Sequence, residues 1–586
     1  MNYLNPIYTE KTECQDCYKC VRHCPVKAIK VEGGCATVIA ELCIYCGHCV
    51  EVCPNGAKKV RDDLTRARQL LSLRQRVYVS LAPSFVSEFP GIRPEQMVAA
   101  LRKLGFAGVS ETALGAQEVS AAVAGRLQSE SGQLLISSAC PSVVAYLQKH
   151  RPELTSHLTG FLSPLLAHCR VLRRLYGAEI GIVFIGPCIS KKLDADHHAD
   201  LLDIALTFED LRRWLAADKI DPKTLAPTTD DAFVPSRAAE GAWYPVDGGM
   251  IAGIKSNCAV NDFSMMSFSG IAAIEKALAD LTSLPAGQGV FLELLACEGG
   301  CVNGPQAAIR GGTIAKRCRV LQFAQQAPAP ADRGQMVIPA DFRVPAMQIV
   351  TYSESQIREA LRAVGKYTAE DELNCGGCGY DSCLEFGKAL LCHKAERSMC
   401  VTYMRKLAHK KANALVQRMP SAVVIVSESL RVLECNAAFA RMFLSDERPV
   451  EEQVRALEGV PLGSVLPFAS LFQGVLLSGD DLLDRDLRHQ QTIVHASIFT
   501  IEKHAVVGGI IQDITRPVVQ KEQVISKARE VIQKNLATVQ QIAYLLGENA
   551  AESEITLSQI IDSFSPARTD EMGEKQQNDW RKLYRR

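Results

Sequence analysis

The sequence predicts a multidomain α/β chain, and three observations predict it. At 586 residues the chain exceeds what one hydrophobic core organises, so three to five domains are expected. Between residues 75 and 350, apolar stretches alternate with amphipathic helical segments, as strands and helices do in an α/β layer structure. Sixteen of the 22 cysteines fall into tight, ordered groups that read as separate metal-binding modules.

Composition narrows the classes. Hydrophobic residues make up 47% of the chain, and 65 basic residues balance 65 acidic ones. A net charge of zero gives no electrostatic reason to bind nucleic acid or an acidic membrane surface. There is no apolar run of membrane-spanning length, and MNYLNPIYTEKTEC lacks the apolar core of a signal peptide, so a cytoplasmic protein is expected. In such a compartment abundant cysteine points to metal rather than disulfides. Cys35, Cys169, Cys258, Cys318, Cys392 and Cys435 fall outside the ordered groups and are expected to be small buried hydrophobes.

The first module is residues 1–62. Cys14, Cys17, Cys20 and Cys24 form C-x2-C-x2-C-x3-C before Pro25, and Cys43, Cys46, Cys49 and Cys53 repeat it before Pro54. The run resembles bacterial two-cluster ferredoxins, a small α+β fold in which the fourth cysteine of each set ligates the other 4Fe–4S cluster. One cluster would then use Cys14, Cys17, Cys20 and Cys53, the other Cys43, Cys46, Cys49 and Cys24. Structural zinc is the alternative, but it favours paired CxxC units.

In the second module, residues 75–350, the stretches 77–83, 132–138, 179–186 and 289–296 read as strands that end just before motifs. Segments 94–105 and 165–177 read as helices. The motifs are SSACPS (137–142), GPCISKK (186–192) and LLACEGGCVNGP (294–305), which carry Cys140, Cys188, Cys297 and Cys301. Together they resemble the active-site signatures of the iron-only (FeFe) hydrogenases, whose H-cluster domain is α/β. The resemblance implies that these cysteines hold a 4Fe–4S cubane. It also implies that Cys301 bridges to a diiron subcluster carrying CO and cyanide. Ser84 and Ser163 match polar contacts to cyanide, Lys191 matches the lysine that holds the distal cyanide, and 246–254 resembles a further active-site loop.

The departures bear on rate. Where efficient hydrogenases have a proton-passing cysteine, this chain has Ala139. The family's acidic pair falls near Ala122 and Val123, Thr159 keeps a hydroxyl on the proton path, and Gly186 and Leu295 replace two packing methionines. A general acid must reach the transferred proton directly or through water, so slow turnover is expected.

Residues 354–415 hold Cys375, Cys378, Cys383 and Cys400, and a helix over 382–397 is expected to return Cys400 to the set. The segment resembles a small helical 4Fe–4S domain of redox complexes, with zinc the alternative. A Pro- and Ala-rich stretch at 325–334 reads as linker. Residues 416–516 resemble an α+β PAS domain, with a helix starting at Asn436 and an exit strand ending GGIIQDIT (508–515). Over 517–586, Val518, Ile525, Ile532, Val539 and Leu546 recur every seven residues, which suggests a C-terminal amphipathic helix and a parallel dimer seam.

This order of modules resembles the sensory-type FeFe hydrogenases. The resemblance implies H2 and protons as substrates, a ferredoxin-like electron partner or downstream signalling protein, hydrogenase maturation proteins, and a homodimer through the PAS domain and helix. Two other readings stand beside slow H2 sensing: a ferredoxin-linked metabolic hydrogenase, and a redox-sensing scaffold without hydrogenase activity.

Overall fold

A computed structural model describes residues 5–514, apart from 131, 258–262, 280, 282–286, 288, 309–311, 326–337, 343–349, 445–447 and 490–491, together with 527, 530–535 and 538. The 326–334 part of the expected linker, nearly all of the heptad helix of 517–586, and Cys258 lie outside the described residues. The chain divides into two compact units, Met1–Glu396 and Arg397–Arg586.

The first unit begins with two small antiparallel ribbons. Strands β1 (Ile7–Thr9) and β4 (Lys58–Val60) pair with each other, as do β2 (Ile29–Glu32) and β3 (Cys35–Val38). Residues 75–305 build two parallel sheets. The larger has the order β6 (Gly108–Glu111), β5 (Val77–Leu81), β8 (Gly181–Gly186), β9 (Ile204–Thr207). The smaller has the order β10 (Phe263–Ser269), β11 (Gly289–Leu295), β7 (Leu134–Ile136). β5, β8 and β11 are buried along their whole length, which is why they read as unbroken apolar runs. Helices Pro94–Lys103 and Pro164–Tyr176 bury Leu101 and Leu165 in the core of the larger sheet.

The entry ribbons are tied to this domain on two sides. Ile44 packs into the core around β11 and the helix Pro141–His150, whose Lys149 and His150 bond the carbonyls of Cys43 and Leu42. On the other side, Arg61 forks onto Asp196 at 2.7 and 2.9 Å. Asp63, 1% exposed, binds both Arg61 and the fully buried Lys192, each at 3.0 Å.

The expected helix over 382–397 is shorter, spanning Cys383–Leu391; Cys392 caps it and His393 turns with a positive φ of 53°. The leftover cysteines also divide. Cys169 and Cys435 are buried as expected, whereas Cys318 and Cys392 are exposed. Each of these two sits on or at the end of a helix with one face toward solvent, where nothing covers a small side chain.

In the second unit, β12 (Ala422–Ser427), β13 (Val432–Cys435), β14 (Leu482–His489), β15 (Thr492–Glu502) and β16 (Val506–Asp513) form one antiparallel sheet of order β13-β12-β16-β15-β14. Asn436 caps the helix Ala437–Phe443 through Phe439 N at 2.9 Å, and its amide also bonds the Ser421 carbonyl at 2.8 Å. No helix among the described residues is long and apolar enough to cross a membrane.

Candidate functional site

The parallel strands send their carboxyl ends to one place, as open α/β sheets do. β7 leads into Ala139 and Cys140, β8 into Cys188, β11 into Cys297 and Cys301, and β5 into Ser84. Cys140 is also the N-cap of helix Pro141–His150.

Two cavities meet there. The smaller, about 370 Å³, is lined by Cys140, Cys188, Cys297 and Cys301 together with Leu295 and Pro305. The larger, about 720 Å³, shares Cys140, Cys188, Cys301, Pro187 and Leu295 and extends past Ser84, Thr112, Ala139, Phe184, Lys191 and Tyr244. The four sulfurs lie within one another's fields. Burial first, then Cys301, Cys188 and Cys140, push the Cys297 thiol well up, and burial with Cys140 and Cys188 does the same to Cys301. Four buried thiolates repel, so they suit a cationic core able to neutralise them. No three His, Cys, Asp or Glu side chains among the described residues converge as ligands of a single metal ion do. The spacing around a cavity fits a polynuclear cluster instead.

The larger cavity has its own fit. The Ser84 hydroxyl, 2% exposed on its wall, has no hydrogen-bond partner among the described residues. A buried hydroxyl without a partner costs about 1–3 kcal/mol, so a ligand acceptor is the natural complement. Lys191 Nζ donates to Ser163 Oγ and Asp194 Oδ2, each at 3.0 Å. Burial pulls the ammonium down, but Asp194 and the Cys188 sulfur outweigh it and hold the group above its ordinary value. The cavity therefore carries a fixed positive charge. Ser163 is not on the wall; it caps helix Pro164–Tyr176 and stands behind Lys191.

Ala139 is on the wall, and Ala122 and Val123 offer no ionisable group. Thr159, 1% exposed, bonds Ser138 Oγ at 2.8 Å, one residue short of the gap at Ala139. A Cβ on Gly186 would run into the Phe184 ring, which fills that side of the cavity.

Sequence reasoning missed several groups. Tyr244 lines the cavity and bonds Ser120 Oγ at 3.0 Å; its place just before the 246–254 loop was the available signal. Thr112, also on the wall, starts a buried line: Ser80 Oγ at 2.7 Å, then His168 Nδ1 and, from His168 Nε2, Ser110 Oγ, each at 2.8 Å. Glu293, 1% exposed, accepts from the backbone N–H of Met250 and Ile251, and burial raises it to about 7.

The entry cysteines sort into two sets. Cys24, Cys43, Cys46 and Cys49 line one cavity of about 310 Å³. Cys20 instead feels Cys17, Cys14 and Cys53; burial is the largest cause that brings its thiol to about 11. Cys46 lines both the entry cavity and the four-cysteine cavity. Beside it Gly47 has φ +83°, and a Cβ there would strike Pro305, so only glycine lets the two surfaces close. Cys375, Cys378 and Cys383 lie in the first unit, and Cys400 opens the second as the N-cap of helix Val401–Arg418.

Known proteins resemble the chain along the same lines. Residues 75–305 match the family described as iron only hydrogenase large subunit, C-terminal domain. Residues 36–59 match a 4Fe–4S binding domain and 371–402 an Fe–S cluster family. Iron hydrogenase 1 of Clostridium pasteurianum is 24% identical over 306 residues, 43% of this chain and 53% of that protein. The NADP-reducing hydrogenase subunit HndD of Solidesulfovibrio fructosivorans is 24% identical over 353 residues, 49% of this chain and 60% of that one. The periplasmic [Fe] hydrogenase large subunit of Nitratidesulfovibrio vulgaris is 25% identical over 378 residues, 53% of this chain and 88% of that one. The chain thus spans little more than half the length of the first two relatives. A solved [FeFe]-hydrogenase of Chlamydomonas reinhardtii aligns at TM-score 0.35 and 18% identity over 45% of this chain and 88% of that one. A PAS domain from a two-component sensor histidine kinase aligns at 0.15 and 17% over 19% and 98%. The protein is of the iron–sulfur oxidoreductase class. Within it, the chain carries a domain homologous, at low identity, to the FeFe hydrogenases.

Proposed function

We propose that the two adjoining cavities hold an H-cluster and that the protein reacts slowly with H2 as a sensor. The observation that carries this reading is the wall they share: Cys140, Cys188 and Cys301 face both spaces. Cys140, Cys188, Cys297 and Cys301 would hold the cubane, and Cys301 would also bridge to the diiron unit with its CO and cyanide ligands. When bound, that unit supplies the chemistry that splits H2. Lys191 and Ser84 would orient the anionic ligands, with Ser163 and Asp194 holding the lysine in place. Phe184, Leu295 and Pro187 keep the space apolar. Ala139 offers no proton carrier at the wall, so protons must cross by water or by a slower hydroxyl route, and turnover falls. Electrons would leave through Cys46, which fronts both sites.

The two entry clusters and a cluster on Cys375, Cys378, Cys383 and Cys400 would relay those electrons. The sheet of the second unit, read as a PAS domain, would pass the redox state through the C-terminal helix, in a cytoplasmic dimer, to a signalling protein. Maturation proteins would install the diiron unit. The slow rate favours detection over a metabolic hydrogenase. Anaerobic, matured protein exposed to H2 should bleach its iron–sulfur absorbance slowly. If dithionite bleaches it and H2 never does, the reading fails.

A further inference from the structure

Residues 374–396 are laid directly against the entry module. Arg22 Nη1 donates to the Gly377 carbonyl at 3.2 Å, and Lys27 Nζ to the Gly379 carbonyl at 3.0 Å. Val31 N donates to the Lys394 carbonyl at 2.9 Å, and Gly33 N to Glu396 at 2.6 Å. The approach is as close as backbone allows. Gly379 has φ +93°, and a Cβ there would stand 2.8 Å from Val21 Cγ1 and 3.2 Å from Arg22 N. Glycine is required twice over, for its dihedral and for the contact.

Next to it Tyr380, 4% exposed, lies in the fields of both Cys378 and Cys24. Its hydroxyl is buried without a hydrogen-bond partner among the described residues. A donor left in that position is complemented by a sulfur of one of the clusters it separates. Cys24 belongs to the set with Cys43, Cys46 and Cys49, the set that also fronts the four-cysteine cavity. One cluster position therefore borders two others.

We propose that the cluster held by Cys24, Cys43, Cys46 and Cys49 is a branch point. One arm runs through Cys46 to the cavity of Cys140, Cys188, Cys297 and Cys301. The other runs past Cys24 and Tyr380 to the cluster of Cys375, Cys378 and Cys383, with Cys400 as the fourth ligand the spacing supplies. The proposal rests on the iron–sulfur reading of these cysteines. Along the second arm a single electron leaves the branch-point cluster, which is oxidised by one unit, and reduces the 375–383 cluster by one unit; no atom or proton moves. Contacts between 374–396 and 22–33 then serve as the coupling of two redox centres as well as packing. Cluster 14-17-20-53 becomes a side reservoir instead of an obligatory step toward the 375–383 cluster.

The test is electron paramagnetic resonance on full-length, cluster-loaded protein reduced with dithionite, which needs no H2 chemistry. Wild type is compared with Cys375→Ser/Cys378→Ser, which removes the 375–383 cluster, and with Gly379→Val, which keeps its ligands but undocks the segment. The proposal expects the entry-module signal of wild type to saturate at several-fold higher microwave power than in either variant, because a neighbouring spin speeds its relaxation. Iron analysis should show four irons lost in the double variant only. Equal saturation in all three proteins overturns the proposal, as does wild-type iron content lacking this cluster. Neither outcome touches the H2 reading, and absence of H2 reactivity leaves this coupling intact.

Discussion

Ala139 is the residue on which the rate turns. Its methyl faces the larger cavity where a proton carrier would be needed, and Thr159 stops at Ser138 beside it. Positioned general acids contribute about 10²–10⁴-fold, so Ala139→Cys should raise H2 oxidation with a dye acceptor by a factor of that order. An unchanged rate in the variant, or a wild type already as fast, contradicts the role given to this position. Ser84→Ala should shift the infrared bands of bound cyanide while leaving cubane absorbance alone; unshifted bands would remove Ser84 from the ligand contacts. His168 gives a separate test of the buried hydroxyl line. Burial lowers its imidazole from the usual 6.5 to about 3, so the native state holds it neutral while the unfolded chain takes up a proton below 6.5. Its contribution is complete above pH 6.5 and is lost at about 1.4 kcal/mol per pH unit as pH falls toward 3. His168→Gln should flatten the dependence of the urea midpoint between pH 7 and 5; an unaltered slope means the histidine is not buried neutral.

At the scale of elements, the sequence disclosed most of the scaffold that positions the site. Fully buried parallel strands are continuous apolar runs, so β5, β8 and β11 announced themselves, and the cysteine motifs marked their carboxyl ends. What stayed hidden depends on long-range packing. Nothing local in GFVPS-like loop chemistry distinguishes Tyr244 as a wall residue, and the shortened helix after Cys383 ends where His393 turns left-handed, a tertiary choice. The ion network that ties the entry module to the α/β domain was equally invisible, because Asp63 and Lys192 meet across 129 residues. Burial alone would raise the Asp63 carboxyl, but Lys192 and Arg61 outweigh it and hold it below its usual 3.8. That contribution is present above pH 3.8 and lost as acid takes the pH through the lowered value. Lys192→Met leaves Asp63 buried beside Arg61 alone and should cost about 3–5 kcal/mol in denaturant unfolding near neutral pH. A loss well under 1 kcal/mol would show the network to be dispensable.

Across the whole molecule, the cysteines form an ordered sequence of sites. Those of the entry module adjoin the paired cavities through Cys46, and those at 375–383 sit on a segment packed against the same module. This continuity is what an electron relay requires, and it makes the content of the larger cavity the decisive unknown. The most direct measurement is the infrared spectrum of the anaerobic protein after maturation. The account predicts sharp bands of iron-bound CO and cyanide, which vanish when Cys301 is replaced by Ser while the entry-module clusters persist. A fully iron-loaded, matured protein with no such bands would show that the cavity beside Cys301 holds no diiron unit, and the proposed H2 chemistry would fall.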